Sequence, residues 1–141
     1  MKEVNKVLGS LMGSIIKSLD FNLEKCQIVF SLDAHMTEDI IQHSVVFDKV
    51  SVFYFINGDT HSRKDCKIIG EGDYVNGYLE FTYAETIDEV NIVPKSEHSA
   101  AQFMNSLGKA NIFVEIWSTL LLIEAEVVVI DGIEYRLPET H

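Results

Sequence analysis

The chain has 141 residues, of which 47% are hydrophobic and 23% are charged, and its formal net charge is −11. This is the length and composition of one globular domain, residues 1–141, and it excludes a disordered chain. No apolar run reaches the roughly 18 residues that span a bilayer, and no secretion signal opens the sequence. We therefore expect a cytoplasmic protein, with no membrane association and two reduced cysteines packed as small hydrophobic residues. The acidic balance repels phosphate backbones, so nucleic-acid binding is not expected.

The N-terminal segment, residues 3–19, has apolar side chains at the i, i+3, i+4, i+7 spacing of a helix with one buried face. Gly9 and Gly13 weaken this predicted helix by roughly 1 kcal/mol each relative to Ala. After Asp20 the spacing changes to alternation, which predicts a strand over residues 22–32. Residues 34–43 are compatible with either a strand or a short helical turn.

Val, Phe and Tyr are concentrated in residues 45–56, which predicts one central strand. Further along, the strand-like segments 67–75 and 78–84 flank Asn76-Gly77. This dipeptide accepts the two positive φ values of a type I′ turn and therefore predicts a β-hairpin.

A second helix is predicted over residues 96–107, because apolar residues recur at helical spacing and Gly108 follows as a stop signal. A strand with alternating residues begins at Ile112, and a long strand is predicted over 119–130. Asp131-Gly132 then predicts a second two-residue hairpin, with the returning strand in 133–137.

The order of helix, strands, helix and strands, joined by tight turns, predicts an α+β domain. Its sheet is expected to be antiparallel and either curved or closed into a partial barrel, with the helix near 96–107 packed on it. The edge strand 133–137 would allow pairing across a two-fold axis, as in a homodimer. The side chains predicted to be buried are Leu79, Phe81, Ile112, Val114, Ile116 and Ile123.

No residues stand at the spacing of a catalytic or metal site, so neither an enzyme nor a cofactor is expected. His61 and Cys66 form the one local thiol–imidazole pair, but Cys66 opens a predicted strand, where small buried cysteines are common. The five histidines lack the spacing of metal ligands and are interpreted as surface residues.

Two stretches, 68–94 and 110–135, contain no Lys or Arg. Their outward carboxylates are predicted to lie side by side on antiparallel strands and to focus a negative potential on a basic protein partner. The simpler alternative is an acidic coat that keeps the protein in solution. The candidate partner-binding residues are Glu80, Glu85, Asp88, Glu89, Glu124 and Glu126.

The segment Phe47-Asp48-Lys49-Val50-Ser51-Val52-Phe53-Tyr54-Phe55, together with Trp117 and Asp131-Gly132-Ile133-Glu134-Tyr135-Arg136, resembles the YxiG-like proteins of Bacillus and its relatives. Similar small acidic proteins are often encoded beside polymorphic toxins and include their immunity proteins. The resemblance therefore implies a non-enzymatic, partner-binding role, such as neutralising a basic toxin, and transfers no catalytic residues. The alternative hypothesis is a β domain that holds an apolar small molecule in the mouth of its sheet.

Overall fold

The computed structural model of the protein describes residues 2–36, 39–56, 79–91 and 109–137. Within these ranges 71% of the residues are in strands, and the one helix, α1, covers Lys2–Ser10. The strands in chain order are β1 (Ser14–Asn22), β2 (Gln27–Met36), β3 (Asp39–Asp48), β4 (Val52–Ile56), β5 (Leu79–Phe81), β6 (Tyr83–Asn91), β7 (Lys109–Ile116), β8 (Thr119–Glu124), β9 (Val127–Ile130) and β10 (Ile133–Arg136).

The described strands form two sheets in which all neighbouring strands are antiparallel. The six-stranded sheet has the order β10-β9-β3-β2-β1-β5, and the four-stranded sheet has the order β4-β8-β7-β6. Alternation along each strand decides which side chains face the core. In β8, for example, Leu121 and Ile123 are buried, whereas Leu120 and Leu122 between them are half-buried on the opposite face.

Three stretches of the chain bend out of one sheet and continue in the other: β3 into β4, β5 into β6, and β8 into β9. Two of these bends lie side by side. The backbone N–H of Ser51 donates to the carbonyl of Glu124 at 2.9 Å, and that of Glu126 donates to the carbonyl of Asp48 at 3.2 Å. Lys49 turns the chain with a φ of 53°. The strand pair β3/β9 therefore continues around a corner as the pair β4/β8.

The side chain of Asn111 takes the place of backbone hydrogen bonds where β8 bends away from β7. Its Nδ2 donates to the carbonyl of Ala125 at 2.9 Å, and the N–H of Ala125 donates to its Oδ1 at 3.1 Å. Both residues are buried. The amide thus satisfies two polar backbone groups that would otherwise lie unpaired away from water.

The core lies between the two sheets and has three phenylalanines at its centre. Phe30 contacts Phe47 and Phe81 edge to face, with ring centroids 5.9 and 5.5 Å apart, and all three side chains are fully buried. Helix α1 packs on β6, where Asn5 Oδ1 accepts hydrogen bonds from both the N–H and the Oγ1 of Thr86 at 2.8 and 2.9 Å. The helix and both sheets therefore contribute to one core.

The predicted α+β class is wrong, because the described residues are essentially all-β. The helix expected over residues 3–19 ends at the end of α1, and its second half is β1. Gly13 takes a φ of 86° and donates its N–H to the carbonyl of Phe81 at 2.8 Å, which redirects the chain into the six-stranded sheet. The β-branched residues Ile15 and Ile16 that follow are suited to a strand.

The partly closed barrel is also wrong: the described strands form two separate sheets. The single strands predicted over 45–56 and 119–130 are each two strands, since both bend at the corner. The hairpin at Asp131-Gly132 is confirmed, with φ values of 51° and 85°. The second helix, predicted near 96–107, and the hairpin at Asn76-Gly77 lie outside the described residues.

Most of the side chains predicted to be buried are in the core. Phe81, Ile112, Val114 and Ile123 have no exposed surface, and Ile116 is 6% exposed. Leu79 was predicted wrongly, because 45% of its surface is exposed. It begins the three-residue strand β5, which forms one edge of its sheet among the described strands.

Candidate protein-binding surface

The face of the four-stranded sheet that points away from the core carries two rows of side chains that cross all four strands. The register aligns Tyr54, Leu122, Phe113 and Glu85 in one row, and Ile56, Leu120, Glu115 and Tyr83 in the next. Glu124 lies beside the first row, opposite Val52. We call these nine residues the acidic–aromatic face: Tyr54, Ile56, Tyr83, Glu85, Phe113, Glu115, Leu120, Leu122 and Glu124.

Rings and carboxylates alternate where β6 meets β7. Tyr83 is opposite Glu115, and Glu85 is opposite Phe113. These four residues form a square, and the rings of Tyr83 and Phe113, at the ends of one diagonal, have their centroids 5.3 Å apart. The hydroxyl of Tyr83 donates to the carboxylate of Glu85. A carboxylate and the face of an aromatic ring both attract cations. The square therefore suits the cationic side chain of another molecule.

Strand β4 brings a run of large apolar side chains to the surface at the other side of this sheet, with β8 between it and β7. Phe53, Tyr54, Phe55 and Ile56 are 37%, 47%, 52% and 38% exposed. The strand is the outermost of its sheet among the described strands. Phe53 contacts Phe21 of β1, with ring centroids 4.7 Å apart, which joins this edge to the six-stranded sheet. Exposed aromatic side chains grouped on one edge are typical of surfaces that other proteins cover.

Two of the six predicted partner-binding residues, Glu85 and Glu124, lie on the acidic–aromatic face. The carboxylate of Glu124 accepts a hydrogen bond from Ser51 Oγ at 2.5 Å. Glu126, expected on the same strand face, lies instead in the bend after β8. There it is exposed, with its carboxylate 3.7 Å from the Lys49 ammonium.

The other predicted residues are not gathered with these two. Glu80 lies opposite Ile15 and alternates with the buried Phe81, so it belongs to the outer face of the six-stranded sheet. Asp88 is exposed on β6. Glu89 is also in β6, but its side chain is outside the described part of the structure. The predicted acidic surface is therefore divided between two sheets.

Sequence reasoning did not select Glu115 or Phe113 as site residues. The signal for Phe113 and Glu115 was present in the alternation of β7, where the intervening Ile112 and Val114 are buried. The pairing register was not readable from the sequence, and it is this register that places Tyr83 against Glu115.

A histidine–carboxylate pair holds the β9–β10 turn against β3. His43 Nδ1 lies 2.6 Å from Asp131 Oδ2, and the N–H of Ser44 donates to Asp131 Oδ1 at 2.8 Å. Partial burial raises the pKa of Asp131, but the hydrogen bonds from His43 and Ser44 and the charge of His43 outweigh it. The pKa of Asp131 is therefore below its ordinary value of 3.8. The two residues are 88 positions apart, so the sequence offered no signal for the pair.

The described residues contain no group of three His, Cys, Asp or Glu side chains that could hold a metal ion. Cys26 is exposed in the turn between β1 and β2, which contradicts the expectation of a packed thiol, and it is not in a disulfide. Its φ of 53° fits a turn. Cys66 and His61 lie outside the described residues. In the part of the chain that the structure describes, no helix is long and apolar enough to span a membrane.

The fold and this surface define an acidic protein of two packed antiparallel sheets with an outward aromatic face. The chain matches the profile of the YxiG-like protein family over residues 4–135, which is nearly its whole length, and it belongs to this family. No curated protein and no solved structure matches it significantly.

Proposed function

We propose that the protein is a non-enzymatic binding protein that holds a basic protein partner on its acidic–aromatic face. The observation that carries the proposal is the square of alternating rings and carboxylates formed by Tyr83, Glu85, Phe113 and Glu115. A sheet face that meets water is usually lined by polar side chains. Here the outward rows combine aromatic, leucine and glutamate side chains, a composition suited to an apolar contact surrounded by charge.

The charge of the four-stranded sheet supports a basic partner. Its strands contain five acidic residues and one basic residue, Lys109. In a chain with a net charge of −11, this sheet contributes to a field that attracts cationic proteins from a distance. Such steering acts mainly on the association rate, whereas the aromatic side chains determine how long a complex lasts. The acidic residues are Glu85, Asp88, Glu89, Glu115 and Glu124.

A cationic toxin, for example a nuclease whose own site attracts phosphate, has the chemistry that this face would recognise. Neutralising such a protein requires that its active site be covered, which shape and charge complementarity achieve without a catalytic group. The centre of the core is filled by Phe30, Phe47 and Phe81. That packing favours a surface-binding protein over one that holds an apolar ligand between its sheets.

The test is a binding screen of the purified protein against the basic proteins encoded by neighbouring genes, followed by association kinetics at low and high salt. We expect the association rate to fall by about tenfold or more as salt increases. The double variant Glu85→Lys/Glu115→Lys should slow association about tenfold at low salt. Its control is Glu24→Lys/Asp39→Lys, which changes the net charge equally at exposed positions outside the four-stranded sheet.

The aromatic contribution is tested separately by Tyr54→Ala, which should weaken binding about tenfold by shortening the life of the complex. The matched control is Ile40→Ala on β3, whose side chain is 59% exposed and lies outside this face. A partner whose association rate ignores salt, or that binds both charge variants equally fast, would contradict the proposal.

A further inference from the structure

One edge of the six-stranded sheet carries a strand whose charged side chains can pair with those of a second copy of the same strand. β10 is one of the two edge strands of the six-stranded sheet among the described strands, and β5 is the other. Glu134 and Arg136 flank Tyr135 and share one face of the strand, opposite to the face from which Tyr135 packs against the core. Both charged side chains are exposed, and neither forms an ion pair with another described residue.

We infer that a second copy of this chain pairs with β10 across a two-fold axis at Tyr135. In an antiparallel pair related by a two-fold axis, residues equally distant from the axis lie opposite each other. Glu134 of each copy then lies opposite Arg136 of the other, which forms two ion pairs across the new junction. On the other face, Ile133, which is 59% exposed, lies opposite Leu137 of the second copy.

The charges also select this register over its neighbours. A two-fold axis at Glu134 would place two carboxylates opposite each other, and an axis at Arg136 would place two guanidinium groups together, and like charges in these positions are destabilising. The short length of β10, four residues, makes the dimer a weak one that forms as the protein concentration rises. β10 contains none of the residues of the acidic–aromatic face, so the dimer and the proposed function can each be refuted without affecting the other.

Charge reversal tests the pairing by sedimentation velocity of the full chain over a range of concentrations. We expect the wild type to dimerise reversibly, and Arg136→Glu or Glu134→Arg to raise the dimer dissociation constant about tenfold or more. The double variant Glu134→Arg/Arg136→Glu should restore dimerisation. A wild type that remains monomeric at all concentrations, single variants that dimerise normally, or a double variant that fails to recover would overturn the inference.

Cysteine cross-linking tests the register itself. In a Cys26→Ser/Cys66→Ser background, Tyr135→Cys should form a disulfide-linked dimer on mild oxidation, because this position faces itself across the axis. Ile133→Cys is the matched control: four residues separate it from its own copy along the pair, about 13 Å, which exceeds the reach of a disulfide. Equal cross-linking at both positions, or cross-linking at Ile133→Cys alone, would overturn the proposed axis.

Discussion

Asn111 offers a sharp test of how the sheets are joined. The variant Asn111→Ala removes the amide that pairs with both backbone polar groups of Ala125, a residue that is only 2% exposed. Each buried polar group left without a partner costs about 1–3 kcal/mol, so the expected loss of stability is about 3 kcal/mol. With a urea dependence of about 2 kcal/mol per molar, the unfolding midpoint should fall by about 1.5 M.

The assay is equilibrium urea unfolding followed by the fluorescence of Trp117, the one tryptophan of the chain. The control is Asn22→Ala, which makes the same substitution at the exposed end of β1, where the amide accepts a hydrogen bond from Lys25 N–H at 3.0 Å. That change should cost less than about 1 kcal/mol. If the two variants lose equal stability with an unchanged urea dependence, Asn111 does not serve as the link between β7 and the bend.

Two further predictions concern residues at which the chain turns, Asp131 between β9 and β10 and Lys49 between β3 and β4. Because the pKa of Asp131 is lowered in the folded state, its carboxylate stabilises the protein above the ordinary value of 3.8 and loses that effect as the pH falls below it. Urea midpoints of wild type and Asp131→Asn should therefore differ at neutral pH and converge in acid; a difference independent of pH would refute this reasoning. Lys49→Val should cost about 1–2 kcal/mol, because a β-branched residue is strained at the positive φ of this position, whereas Lys49→Gly should cost less than about 0.5 kcal/mol. Thermal unfolding of both variants distinguishes backbone strain from loss of the exposed ion pair between Lys49 and Glu126. Loss of the ion pair predicts that the two variants lose equal stability, since both lack the ammonium group.

The strands within residues 109–137 were readable because alternation and turn chemistry agree there. Ile112, Val114 and Ile116 alternate with larger or charged residues, and Asp131-Gly132 accepts the two positive φ values that its turn requires. These are local signals, and the structure follows them.

The bends were not readable, since no Gly or Pro marks them. Lys49 turns the chain within the predicted strand 45–56, and Ala125, which follows β8, is hydrogen-bonded by the side chain of Asn111 of β7. At the N-terminus a signal was present in Gly13, but the apolar spacing fitted a longer helix equally well. For the candidate site, the outward position of Glu124 followed from alternation, whereas Glu85 lay beyond the end of the predicted strand 78–84. Their neighbours depended on strand register, which is set by contacts distant in sequence.

The corner at which β3/β9 becomes β4/β8 also bears on the order of events when the chain folds. The strands β1 to β3 lie within residues 14–48 and pair with their neighbours in sequence. Their pairing partners are therefore available early in synthesis. The corner requires contacts such as that between Ser51 and Glu124, which are 73 positions apart. Such distant pairings are slow to form. Neither sheet can be completed before residues 109–136 have been made, and until β9 pairs with β3 the edge of β3 is exposed to misassembly.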